Sequence, residues 1–376
     1  MKKPELLAPS GNMKTLKAAV QAGADAVYLG AGKFSARAFA GNFDDSELVM
    51  GIKYAGSANV KVYLAVNTLM TDRELKEVMS LVDLAFDAGV SAFIVQDLGL
   101  ARLIRQKHPT AILHASTQMT AKTLRDVDTL GSLGFKRVVM ARELSRGQLR
   151  EIAKNTDVEL EVFVHGALCS SYSGQCLISS FFGGRSANRG KCAGPCRLTY
   201  IAILPENRPK ASRIFGASQG SAADAGQEGP LGSTGKIAGR PKGGFAKQSA
   251  EGTDAGLRQK DRCIGPVFRG NGYKSGGKNG VLLSLKDLCL VDYIGELTDM
   301  GITSLKIEGR MKGEDYVRGV VGAYRMVLDG GKLTAKDKKA MLGVFDRGGY
   351  TDGYFTNNKE NMYMETLKNP YGKGAK

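Results

Sequence analysis

The sequence predicts an α/β fold, a TIM-like (β/α)8 barrel with a cysteine-rich and partly disordered insertion between strands seven and eight. Three observations predict it. A helix-like segment that ends at Gly and leads at once into a short apolar run recurs as QAGADAVYLG, DAGVSAFIVQ, SLGFKRVVMA and DMGITSLKIE, with the glycines at 23, 89, 134 and 301. Strand-like runs along the chain number about eight, as a closed barrel requires. The chain has 376 residues, long for one compact domain but suited to a barrel that carries an insertion.

Each element has a local reason. Glycine past the last helical turn takes up a left-handed backbone without a Cβ clash. The apolar run after it suits a parallel strand buried on both faces. The expected strands are 5–11, 26–31, 61–68, 92–97, 111–118, 137–143, 160–166 and 302–309. A helix is expected in TAKTLRDVDTLGSLG and another, amphipathic, from near Ser145; a third covers GEDYVRGVVGAYRMVLDGG after the last strand. A doubly wound open sheet is the weaker alternative, because no GxGxxG follows the first strand.

This divides the chain into strands one to seven (1–166), a cysteine-rich segment (167–200), a basic Gly-rich insertion (201–280), the last strand and helix (281–328) and a C-terminal tail (329–376). The stretch 205–260 is rich in Gly, Ala, Ser, Lys and Arg with few large apolar residues, so it is expected to be disordered. Residues 201–280 hold thirteen Lys/Arg against six Asp/Glu, and so supply +7 of the formal net charge of +16. That charge favours an anionic partner, such as nucleic acid, a phosphorylated or carboxylated small molecule or anionic lipid; mere solubilisation is the plain alternative. MKKPELLAPSG has no apolar stretch after its lysines, and no run of about 18 apolar residues occurs, so a cytoplasmic chain with no membrane partner is expected.

In that compartment clustered cysteines are more often metal ligands than disulfides. Cys169, Cys176, Cys192 and Cys196 fall in VHGALCSSYSGQC and NRGKCAGPC, spaced C-x6-C-x15-C-x3-C among glycines and small residues. Thiolates suit an iron–sulfur cluster or zinc. Structural zinc usually shows two short hooks, and only Cys192 and Cys196 form one, which favours a 4Fe–4S cluster over zinc or ordinary thiols. Cys263 could replace Cys196 as fourth ligand, whereas Cys289, in an apolar helical pattern, reads as core.

Barrel chemistry sits at the C-terminal ends of strands. Those ends carry Asn67, Gln96, Asp97, His114, Gln118, Arg142, Glu143, His165, Glu308 and Arg310. Arg142 and Arg310 suit clamps on carboxylate or phosphate, and His165 and Glu308 suit general acid–base work. Any of these could instead satisfy backbone or pair with a neighbour. His108, before Pro109, reads as an exposed loop residue. No G-x-S-x-G elbow, H-E-x-x-H helix or Walker A loop is present. A cysteine hydrolase using Cys169 with His165 is conceivable, but the neighbouring cysteines argue for metal.

At these residues the chain resembles peptidase family U32, the collagenase-like proteases. The matching blocks are ELLAPSGNMKTLKAAVQAGADAVYLG, FSARAFAGNF, EVFVHGALCSSYSGQCLISSFFGGRSANRGKCAGPCR, LLSLKDLCLVDYIGELTDMGITSLKIEGRMK and FDRGGYTDGYF. The resemblance implies prephenate-dependent, oxygen-independent hydroxylation of a tRNA or rRNA base, or oxygen-independent hydroxylation of a small-molecule ring, with a peptidase as the family label. It also implies a 4Fe–4S cluster on Cys169, Cys176 and Cys192, with Cys196 or Cys263 as the fourth ligand. An electron-donor or other partner protein would accompany it.

Overall fold

The computed structural model describes residues 3–32, 34–37, 41–198, 200–201, 279–280, 283–345 and 348–364. Seven strands follow one another around a barrel: β1 (Glu5–Pro9), β2 (Ala26–Leu29), β3 (Lys61–Val66), β4 (Ala92–Val95), β5 (Leu113–Ala115), β6 (Arg137–Val139) and β7 (Glu159–Gly166). The two-residue strands β8 (Tyr200–Ile201) and β9 (Asn279–Gly280) form a separate sheet. Then come β10 (Asp287–Cys289), β11 (Ser304–Ile307) and β12 (Tyr350–Thr351). β11 lies parallel between β7 and β1, with Ser304 opposite both Glu161 and Glu5, and closes a barrel of eight parallel strands.

The helices are α1 (Met13–Gln21), α2 (Asp45–Ser57), α3 (Asp72–Asp87), α4 (Leu98–Lys107), α5 (Leu124–Ser132), α6 (Arg146–Lys154), α7 (Ile178–Gly183), α8 (Ile294–Asp299), α9 (Glu314–Leu328), α10 (Ala335–Gly343) and α11 (Gly353–Thr356). Their starts are written locally. Asn12, Asp44, Thr71, Thr123 and Ser145 stand at N-caps, each in a reciprocal capping box with the third helical residue. This satisfies orphan amides at both positions. The predicted stops also form: Gly23, Gly89, Gly134 and Gly301 have φ of 88°, 91°, 88° and 82°.

Two apolar cores result. The larger lies between strands and helices and includes Leu6, Leu29, Leu64, Val95 and Tyr324. The smaller fills the barrel with Leu7, Ala26, Tyr28, Tyr63, Ala65, Ala92 and Ile94. Beside it runs a buried polar ladder. Arg137 donates to Glu5 at 2.7 Å and to Glu161 at 3.3 Å, Lys306 donates to Glu161 at 2.7 Å, and the Tyr63 hydroxyl donates to Glu5 at 2.8 Å.

The segment around Cys289 departs from the helical expectation. Asp287–Cys289 is a strand, antiparallel to the end of β7, with Cys289 opposite His165. Past its pairing with β6, β7 has free backbone groups, and the Leu290 amide donates to the Val164 carbonyl at 2.8 Å. Helix begins only at Ile294. Among the described residues no helix is long and apolar enough to cross a membrane. The chain divides into two units, Met1–Tyr200 with Gly280–Lys376, and Ile201–Asn279. Residues 202–278 lie outside the described residues, and with them the expected disorder over 205–260 and the position of Cys263.

Candidate active site at the barrel mouth

A cavity of about 530 Å³ opens among the C-terminal strand ends. Its walls come from most of the barrel: Tyr28 of β2, Ala65 and Asn67 of β3, Ile94 of β4, Ser116 and Gln118 past β5, Arg142 past β6, Phe163 of β7 and Lys306 of β11. The cysteine-bearing segment and Glu308–Lys312 complete the rim. Asn67 braces two of these loops, since its side chain accepts from the Ala36 amide at 3.0 Å and donates to Ser116 Oγ at 3.0 Å.

Glu308 lies at the centre of the charge. Arg142 donates to it at 2.6 Å and Arg37 at 3.3 Å. Burial pushes its carboxyl up, but Arg37 and Arg142 outweigh that and hold it at about 2, so it is ionised at neutral pH. Arg142 stacks 3.8 Å over the Phe163 ring and donates to the Ala167 carbonyl at 2.6 Å, which fixes its plane. Arg310 is 4% exposed. Among the described residues its guanidinium hydrogen-bonds only to Ser35 Oγ, at 3.2 Å through both terminal nitrogens. Burial, with Arg37 nearby, brings its pKa down to about 10. Among the described residues, the site therefore presents one arginine without a carboxylate partner beside one carboxylate shared by two others.

Several expected residues stand elsewhere. His165 does not reach the cavity. β7 and β11 pair Phe163 with Lys306 but His165 with Ile307, so Val164 is an extra residue on β7. Side chains alternate across a strand, and one extra residue turns His165 outward. It packs against Tyr324, Tyr350 and Tyr316, and burial holds its pKa at about 3. His114 is buried edge-on to Tyr63 at 4.7 Å and kept neutral by burial and Arg137, away from the cavity lining. Asp97 caps α4 and accepts the Met70 amide at 3.0 Å. Gln96 reaches the Gln118 carbonyl at 3.4 Å, and Glu143 holds Ser173 at 2.8 Å; both support neighbouring loops. His108 is half-buried rather than exposed, 2.7 Å from Asp83 and tilted over Phe86, because it caps the end of α4.

Cys169, Cys176, Cys192 and Cys196 all line the same cavity. Burial pushes the Cys169 thiol up, with Cys196 and Cys176 close enough to add to the effect. The Gly194 amide donates to Cys192 Sγ at 3.3 Å, the kind of contact that steadies a ligating sulfur. Arg197 ties this segment down through the Leu168 and Leu285 carbonyls and Ser284 Oγ. The soft donor set and shared rim suit an iron–sulfur group. Among the described residues, however, no three cysteine, histidine or acidic side chains are gathered into a metal-holding group, so such a group would need to draw the sulfurs together.

Two contributors were not singled out from the sequence. Arg37 lies in a loop, within FSARAFAGNF. Lys306 sits buried in the cavity wall, 4.4 Å from the Tyr28 ring centre and salt-bridged to Glu161. Its parity with Glu308 on one strand could have flagged it.

The fold and site define a (β/α)8-barrel protein with an arginine-rich, cysteine-rimmed cavity at its C-terminal face. The family model described as "Peptidase family U32" matches residues 11–365, and the chain belongs to that family. It is 31% identical over 328 residues to tRNA hydroxylation protein P1 of Bacillus subtilis, covering 87% of this chain and 64% of that protein. It is 34% identical to an uncharacterized protease of Methanocaldococcus jannaschii, over 95% of this chain and 74% of that one. It is also 34% identical to the 23S rRNA 5-hydroxycytidine C2501 synthase of Escherichia coli, over 86% of this chain and 39% of the synthase. The chain thus spans less than two thirds of the first and last of these.

Proposed function

We propose that this chain is an iron–sulfur RNA-modifying enzyme that hydroxylates a tRNA or rRNA base without oxygen, with prephenate as oxygen donor. The observation that carries the reading is the union, in one cavity, of four cysteines with Arg142, Arg310 and Glu308. Relatives whose names describe tRNA and rRNA hydroxylation support it. A 4Fe–4S group would be held by Cys169, Cys176 and Cys192, with Cys196 or Cys263 as fourth ligand, and would supply redox chemistry at the rim. Arg310 binds a carboxylate of the donor bidentately. Glu308, ionised and shared between them, fixes the planes of Arg37 and Arg142 and so orients both toward the bound base and donor. The basic surface holds phosphates. The donor, in giving up its oxygen, takes the two electrons that the base loses, so an electron-donor protein would serve only to set the oxidation state of the cluster before turnover.

A peptidase would need a nucleophile and a base, and Cys169 lines the cavity while His165 faces away from it. The test is anaerobic purification with iron, sulfide and zinc analysis and an absorbance spectrum, on the wild type and on Cys169→Ala, Cys196→Ala and Cys263→Ala. The expected result is about four irons and four sulfides per chain. They should be lost in Cys169→Ala and in one of the other two. Stoichiometric zinc, or no metal, would overturn the redox reading.

A further inference from the structure

The cysteine-bearing segment carries large apolar side chains facing solvent. Phe181 is 81% exposed, Leu177 67%, Tyr172 60% and Phe182 42%. Such side chains are usually buried, and four exposed within eleven residues of one cavity-lining segment mark a contact surface. Tyr172 and Ile178 line the cavity, and Phe181 and Phe182 lie three and four residues beyond Ile178 on α7, on the same helix face. The two Phe rings sit 5.3 Å apart, edge to face. Lys122 lies 4.4 Å over the Tyr172 ring. Charge selects the partner: between Glu161 and Glu206 there is no acidic residue, against Arg185, Arg189, Lys191 and Arg197, of which Arg189 is paired with Glu74 and Arg197 holds backbone carbonyls.

We infer that Tyr172, Phe181 and Phe182 form a stacking platform for unpaired bases of single-stranded RNA, which leads the target base from the rim into the cavity. This rests on the RNA reading above and adds the residues that deliver the base. Every base offers a π-face, so aromatic rings flanked by cations grip single strands regardless of sequence. A duplex, whose bases are already stacked, gains nothing from such rings. The platform therefore predicts a preference for loops and unpaired segments.

The test is fluorescence anisotropy of the full chain with a single-stranded RNA oligonucleotide and with a duplex of the same sequence. Each lost stack should weaken single-strand binding roughly 5- to 150-fold in Tyr172→Ala, Phe181→Ala and Phe182→Ala, with duplex binding unchanged. Phe181→Tyr should bind as the wild type does, and Phe181→Leu, equally apolar but unable to stack, should not. Circular dichroism and metal content report whether each variant is intact. Wild-type RNA affinity retained in all three alanine variants would overturn the platform and leave the RNA reading standing. Sedimentation showing that the variants lose a dimer, with RNA binding unaltered, would assign the patch to a second copy of the chain. A wild type that binds no RNA would remove the RNA reading, and the platform with it.

Discussion

Glu308 and His165 both contribute to the chain's loss of stability in acid, in opposite chemical ways. The Glu308 carboxyl is held near 2 against an ordinary 4.5, so its contribution is complete above 4.5 and is lost as pH falls toward 2. The pairing is worth on the order of 3 kcal/mol at neutral pH. His165 is held near 3 against an ordinary 6.5, so the unfolded chain binds the extra proton, and stability falls as pH drops from 6.5 toward 3. Thermal melts across that range should show a shallower loss in His165→Gln than in the wild type. Its metal content and RNA affinity should match the wild type, since the ring does not reach the cavity. Glu308→Gln should cut modification about a hundredfold, because it releases Arg37 and Arg142 from the planes in which they meet the substrates. Retention of full activity in Glu308→Gln would exclude that role. Arg142, Glu308 and Arg310 were legible in the sequence as polar ends of apolar strands. His165 was misplaced because an extra residue on β7 depends on the register of a strand more than a hundred residues away, which no local pattern encodes.

At the scale of elements, β7 and β11 carry the site. Gly166, at φ 99°, ends β7 where an added Cβ would meet the Glu308 carbonyl at 2.6 Å. Gly166→Ala should therefore lose roughly 1–3 kcal/mol of stability and displace Glu308, which denaturant melts and modification assays together would detect. The buried ladder of Glu5, Arg137, Glu161 and Lys306 links β1, β6, β7 and β11. Arg137→Met takes the shared cation from Glu5 and Glu161, leaving Lys306 on Glu161 and Tyr63 and Lys61 on Glu5, and should cost up to about 3–5 kcal/mol. A midpoint unchanged from the wild type would show that the ladder bears no load. Glycine stops and the apolar runs after them made the eight strands and the helices before them readable. β10 escaped because three residues flanked by apolar neighbours have the composition of a helix, and only the open end of β7 makes them a strand.

The whole molecule joins a rigid barrel to a basic, cysteine-bearing rim, and its proposed work follows from that union. The charge of +16 predicts RNA binding that weakens steeply with salt, with the slope of log affinity against log salt counting phosphates contacted. A shallow slope would assign the charge to solubility. The barrel was legible from repeat and length, but the sharing of one cavity by the cysteines and arginines was not, because it depends on loop paths over the strand ends. The most direct measurement is mass spectrometry of nucleosides from tRNA and rRNA of cells lacking this chain, complemented with wild type, Cys169→Ala or Glu308→Gln and grown without oxygen. The account predicts one nucleoside that gains a single oxygen with the wild type and stays unmodified with either variant. RNA with identical nucleosides in all strains would contradict it.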